Sequence, residues 1–153
     1  MKKLRIYLDS CVWGRPFDEP NEKISRQVRA LLEILRLKRE GKIEIVSSSV
    51  VLAEVALISD PWKRESVIGL IQKSSDEIVR VNELLDILSL AKMIRDECGL
   101  KPADAIHVAL ASKYADVFIT VDEGILRKSE CLQKYIIVLD PVEFNDYRRR
   151  GVR

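Results

Sequence analysis

The chain has one histidine and three cysteines among its 153 residues, too few and too scattered for the common zinc centres. Cys11, Cys98 and Cys131 are odd in number and far apart, which is not a disulfide framework either. They read as buried free thiols, the usual state of cysteine in a packed interior. Long apolar runs are missing too, since none approaches the roughly 18 residues that a membrane span requires. The basic opening Met1-Lys2-Lys3 leads into an apolar run that Asp9 interrupts, too soon for the core of a signal peptide. A cytoplasmic protein with no membrane partner is expected. The chain also lacks a strong net charge, standing at +2. Its basic residues are uneven, however: Lys23, Arg26, Arg29, Arg36, Lys38 and Arg39 share one segment, and Arg148, Arg149, Arg150 and Arg153 share the tail. Such clusters can hold phosphates, although a solvated helix face and a frayed end account for them equally well.

What is present is the composition of one globular domain spanning residues 1–153, with 47% hydrophobic and 33% charged residues. A chain of this length buries roughly 70% of its unfolded surface. No repeat, linker or low-complexity segment divides it. Strands and helices alternate instead. Leu4–Leu8 reads as a first strand, and residues 11–21, with Gly14, Pro16 and Pro20, as a loop. Helical periodicity runs over 22–40 through Ile24, Val28, Leu31, Leu32 and Leu35, with Gly41 as the stop. A strand over 43–47 is followed by serines that can cap a helix ending near Ile58. Asp60-Pro61 starts another helix, 78–81 is a short strand, and Asn82 can cap a long helix ending near Cys98. Pro102–Tyr114 is helical, 117–121 a strand, 123–129 a short helix and 136–139 a last strand. Strands separated by helices imply right-handed crossovers and a parallel sheet covered on both faces. The near-continuous apolar runs Val-Phe-Ile-Thr-Val and Ile-Ile-Val-Leu suit strands buried on two sides.

Against this background four acids stand out of place. Most of the 24 acidic residues lie among other charges, but Asp9, Glu54, Asp104 and Asp122 interrupt or end apolar runs. An ionised carboxylate inside a protein is costly unless something pairs with it. In open parallel sheets, ligands bind beyond the carboxyl ends of the strands. Asp9 and Asp122 follow strands directly, Asp104 opens a helix two residues after Pro102, and Glu54 lies about two turns into its helix. Together they describe one cleft. Oxygen donors of this kind suit Mg²⁺ or Mn²⁺, and a metal so held can activate water and neutralise charge on a phosphate. Thr120, two residues before Asp122, can orient Asp122 or a metal-bound water. Taken singly, Asp9, Asp104 and Asp122 have ordinary alternatives as loop or helix caps. Glu54 has no such alternative.

The segments Ile6-Tyr7-Leu8-Asp9-Ser10, Val51-Leu52-Ala53-Glu54-Val55, Lys101-Pro102-Ala103-Asp104-Ala105-Ile106-His107-Val108-Ala109-Leu110-Ala111 and Phe118-Ile119-Thr120-Val121-Asp122 resemble, in order, the signature blocks of PIN-domain proteins. The resemblance implies a three-layer α/β/α sandwich with a central parallel sheet. It also implies a Mg²⁺- or Mn²⁺-dependent endoribonuclease with Asp9, Glu54, Asp104 and Asp122 as catalytic and metal-holding residues. RNA is then the substrate, and a short member is expected to be the VapC-like toxin of a toxin–antitoxin pair, with a cognate antitoxin as partner. The segment Trp13-Gly14-Arg15-Pro16-Phe17-Asp18 resembles a loop variant of one branch of that family. Arg15 is a candidate for a substrate phosphate, because guanidinium suits phosphate oxygens. His107 reads as a packed or hydrogen-bonded side chain rather than a catalyst. An amphipathic helix such as that over 82–98 offers a face for a homodimer. Two other readings remain open from the residues alone. One is a catalytically silent binding module on the same fold. The other is a phosphoryl-transfer or receiver-type protein, which would want a further acid beside Asp9, where Ser10 and Cys11 stand.

Overall fold

The computed structural model describes residues 2–81 and 84–151. Five parallel strands form its sheet: β1 (Leu4–Leu8), β2 (Ile43–Ser48), β3 (Glu77–Val79), β4 (Val117–Ile119) and β5 (Ile137–Leu139), in the spatial order β3-β2-β1-β4-β5. β1 is central. Its register sets Ile6 beside Ile45 on one flank and Leu8 beside Ile119 on the other. Ile6, Tyr7, Leu8, Ile45, Phe118 and Ile119 are fully buried, as expected of strands covered on both faces.

Nine helices carry the rest of the described chain: α1 (Ser10–Gly14), α2 (Glu22–Arg39), α3 (Ser49–Val55), α4 (Pro61–Ser74), α5 (Leu84–Cys98), α6 (Pro102–Tyr114), α7 (Glu123–Leu126), α8 (Ser129–Leu132) and α9 (Pro141–Arg149). α2 packs on α9 and β2, whereas α6 packs on α5, β1 and β4. Right-handed crossovers running outward from β1 in both directions put these two groups on opposite faces. The result is the expected three-layer α/β/α arrangement. The starts are chemically ordinary: Asn21 caps α2, Asp60 with Pro61 starts α4, and Asp140 with Glu143 forms a capping box on α9. Gly99, at φ +71°, lets the chain turn after α5 where a side chain would be strained.

Four features differ from the sequence expectation. Residues 11–21 are not simply a loop, because Asp9 caps α1 and a single 3-10 turn (Arg15–Phe17) follows. α3 ends at Val55, so Glu54 lies in its last turn rather than inside a longer helix. The tail is not frayed up to Arg149: α9 buries Phe144, and Asn145 Nδ2 donates to the Ala30 carbonyl of α2 at 3.1 Å. Cys98 and Cys131 are bonded to each other, which corrects the expectation of three free thiols; only Cys11 is free. The packing of α8 on the end of α5 brings together two cysteines 33 residues apart. The proposed cap Asn82 lies outside the described residues.

Candidate active site

The chain leaves β1 toward β2 and β3 in one direction and returns on the other side through β4 and β5. The sheet therefore switches direction between β1 and β4, and ligands of open α/β sheets bind at such a crevice. Asp9 follows β1 and Asp122 follows β4, one on each side of it. Asp9 is buried, and each of its oxygens is fixed. Oδ1 accepts the Ser10 amide at 2.8 Å, and Oδ2 accepts the Thr120 hydroxyl at 2.8 Å and the Cys11 thiol at 3.4 Å. Burial, then the charge of Asp9, pushes the Cys11 thiol up to about 12, so it remains a neutral donor.

Thr120 is fully buried and joins the two acids. Its hydroxyl donates to Asp9 and accepts the Asp122 amide at 3.0 Å. The sequence expectation was that this hydroxyl orients Asp122 or a metal-bound water. The chain turns after Ile119, and the contact with Asp122 is made through its backbone amide. Asp122 Oδ1 caps α7 through the Ile125 amide at 3.1 Å. Asp104 sits in the first turn of α6. Burial, followed by the charges of Asp122 and Asp9, raises its pKa above the ordinary aspartate value. Among the described residues no lysine or arginine forms an ion pair with Asp9, Asp104 or Asp122.

Glu54 is half-buried and held by two donors. Ser10 Oγ lies 2.8 Å from its Oε1, and His107 Nε2 lies 2.8 Å from the same oxygen. Burial would raise the Glu54 pKa, but the His107 bond and charge and the Ser10 bond outweigh it and lower the value. For His107 the signs reverse. Burial lowers its pKa, while the Glu54 bond and the charges of Asp9, Glu54 and Asp104 raise it to a net increase. One ligand atom each of Asp9, Glu54 and His107 lie within 4.8 Å of one another, so the most compact trio at this edge includes the histidine. The charges of Asp122 and Asp104 adjoin it.

Arg15 lies in the cleft next to this cluster, which Ser10, Cys11, Asp18, Glu54 and Lys63 also line. Its guanidinium is engaged within the protein: Nε donates to Gln27 Oε1 at 2.7 Å and Nη1 to Asp18 Oδ2 at 2.9 Å. Ser10 and Tyr7 were not singled out in the sequence, whereas Ser48 is one of the serines expected to cap a helix and His107 is packed and hydrogen-bonded as expected. Tyr7 and His107 bond across 100 positions in sequence, and only the fold brings them together.

A doubly covered parallel sheet with carboxylates at its switch point defines an α/β protein that presents oxygen donors, of the kind divalent cations take, at its ligand-binding edge. The sequence model of the PIN domain family matches residues 6–130, and the chain belongs to that family. No curated protein is similar enough in sequence to be matched with it. Among solved structures it is similar to FitAcB from Neisseria gonorrhoeae, with a TM-score of 0.57 and 21% identity over 89% of this chain and 97% of that one. It is similar to FitAB bound to the IR36 DNA fragment, with a TM-score of 0.55 and 22% identity over 89% of this chain and 94% of that one. It is also similar to VapBC2 from Rickettsia felis bound to a DNA fragment from their promoter, with a TM-score of 0.59 and 13% identity over 88% and 97% of the two chains.

Proposed function

We propose that this chain, as a single domain over 1–153, is a divalent-cation-dependent endoribonuclease. In this reading Asp9, Glu54, Asp104 and Asp122 hold Mg²⁺ or Mn²⁺. The observation that carries it is the gathering of carboxylates at the switch point where, among the described residues, no lysine or arginine is ion-paired with Asp9, Asp104 or Asp122, the charges of His107 and Lys101 offsetting that of Asp104 only in part. The donor set fits such a cation: it is rich in carboxylate oxygen, and the one free thiol is kept neutral. When bound, the cation would supply an activated water and neutralise charge developing on a phosphate. The residues do the positioning. Thr120 and Ser10 fix the two oxygens of Asp9, Ser10 and His107 fix Oε1 of Glu54, and α7 fixes Asp122 through its own first turn. Arg15 can keep Gln27 and Asp18 and offer a substrate phosphate its Nη2 donors.

The likeness to FitAB and VapBC2 supports a toxin–antitoxin setting with a cognate antitoxin as partner. The exposed apolar side chains Leu85, Leu88 and Met93 on α5 offer a surface for that partner or for a homodimer. Among the described residues no helix is long and apolar enough to cross a membrane. The test is RNA cleavage by purified protein. Cleavage with Mn²⁺ or Mg²⁺, abolished by chelator and by Asp9→Asn, is the expected outcome. If Asp9→Asn cuts as fast as the parent, the activity lies elsewhere.

A further inference from the structure

Behind Glu54 runs a buried line of polar atoms. Ser48 Oγ lies 2.7 Å from Tyr7 Oη, Tyr7 Oη lies 2.9 Å from His107 Nδ1, and His107 Nε2 lies 2.8 Å from Glu54 Oε1. Tyr7, Ser48 and His107 are all buried, so their polar hydrogens need partners within the protein. Both ends of the line have a fixed direction. The Val51 amide donates to Ser48 Oγ at 3.2 Å, and an ionised carboxylate can only accept.

These ends determine the hydrogens between them. His107 Nε2 must carry a proton to meet Glu54. With that nitrogen protonated, neutral imidazole leaves Nδ1 as an acceptor, and the Tyr7 hydroxyl donates to it. Tyr7 Oη then accepts the Ser48 hydroxyl, which itself accepts the Val51 amide. Every hydrogen in the line has a place. The surrounding carboxylate charges favour a second ring proton, but with Nδ1 protonated Tyr7 would have to donate back to Ser48. The Ser48 hydroxyl would then be left without an acceptor among its described contacts.

We infer that His107 is a positioning residue, held as the neutral Nε2–H tautomer, that aims the Glu54 carboxylate into the acidic cluster and is not itself a cation ligand. A ligating nitrogen needs a free lone pair, and neither ring nitrogen offers one in this line: Nε2 bears the proton given to Glu54, and Nδ1 is taken by Tyr7. The line also grips α3 twice. Ser48 caps its first turn, and His107 holds Glu54 in its last turn, so β1, α3 and α6 are locked around one carboxylate. The aiming role rests on the cation-holding reading above. The tautomer does not.

The chain's only histidine makes the test direct. Protein carrying ¹⁵N-histidine gives two ring-nitrogen signals, both from His107, in long-range ¹H–¹⁵N correlation spectra at pH 8. The expected pattern is a protonated Nε2 and a bare Nδ1, unchanged when Mg²⁺ is added to saturation. A protonated Nδ1, an imidazolium, or loss of the Nε2 proton on adding Mg²⁺ overturns the assignment. Tyr7→Phe removes the donor to Nδ1 but leaves Glu54 to hold the Nε2 proton, so Nε2 is expected to stay protonated there; a proton moved to Nδ1 means that Glu54 does not set the pattern. For the aiming role, His107→Ala should weaken Mn²⁺ binding by about 10–100-fold in calorimetry, as loss of an outer partner of a metal ligand does. His107→Gln, whose amide can donate to Glu54, should recover most of it. Equal Mn²⁺ affinity in His107→Ala and the parent overturns the aiming role. The expected tautomer in a parent that binds no Mn²⁺ upholds the line and removes the cation reading instead.

Discussion

Asp9 has both oxygens committed to hydrogen bonds and no cationic side chain opposite, and Thr120 is the residue that makes this geometry rigid. Thr120→Val keeps the shape and removes the hydroxyl, leaving Asp9 Oδ2 with only the longer Cys11 thiol contact and the Asp122 amide without an acceptor. A loss of about 1–3 kcal/mol in stability is expected, with Mn²⁺ affinity down about 10–100-fold. Chemical denaturation and calorimetry check both, and a variant equal to the parent in both would remove Thr120 from the site. Asp18 makes a separate prediction about pH. Burial would raise its pKa, but bonds from Lys63 and Arg15, at 2.6 and 2.9 Å, outweigh it and hold the carboxyl below the ordinary aspartate value of 3.8. A depressed folded-state pKa contributes stability above the unfolded value, and that stability is lost as pH falls through the folded value. Asp18→Asn should therefore cost about 1–2 kcal/mol at neutral pH, and the gap to the parent should close as pH falls below 3.8. A gap independent of pH would assign the effect to packing. The Thr120–Asp122 spacing was legible in the sequence. The Thr120–Asp9 bond was not, because it joins residues 111 positions apart.

At the scale of elements, caps and apolar periodicity located most helices and strands within a residue or two. α2, α4 and α6 begin where Asn21, Asp60-Pro61 and Pro102 mark them. The departures have local causes. The cap alternative for Asp9 was read against a loop marked by Gly14, Pro16 and Pro20, so α1, which Asp9 caps, was missed. α9 carries several charged residues and only a few buried ones, so its pattern was weak; packing against α2 stabilises it. The Cys98–Cys131 bond was hidden because spacing along a chain says nothing about packing between α5 and α8. Closing a loop of 33 residues restricts the unfolded chain by roughly 3–4 kcal/mol in the chain-entropy account. Reductant should then lower the melting temperature by about 10 °C for a domain of this size. Thiol titration of the denatured protein should find one free thiol before reduction and three after. An unchanged midpoint, or three thiols from the start, contradicts the bond. Disulfides are rare in a reducing cytosol outside hyperthermophiles, so the same titration on protein taken directly from cells bears on the cytoplasmic expectation.

Over the whole molecule, the order β3-β2-β1-β4-β5 does what no local signal can: it sets the ends of β1 and β4 side by side and so brings Asp9 and Asp122 to one crevice. α6 then brings Asp104 and His107 to the same edge, and α3 brings Glu54. The sequence showed four acids out of place and a sheet edge where they could meet. It did not show that Glu54 would be the one already hydrogen-bonded to a histidine while, among the described residues, Asp9, Asp104 and Asp122 have no ion pair with a lysine or arginine. The account stands or falls on whether this uncompensated charge holds a divalent cation. Calorimetric titration of Mn²⁺ into the purified chain, beside Asp9→Asn, measures that directly. Saturable binding by the parent, weakened at least about tenfold in Asp9→Asn, is predicted. No binding by the folded parent at millimolar Mn²⁺, or equal binding by both proteins, would contradict it.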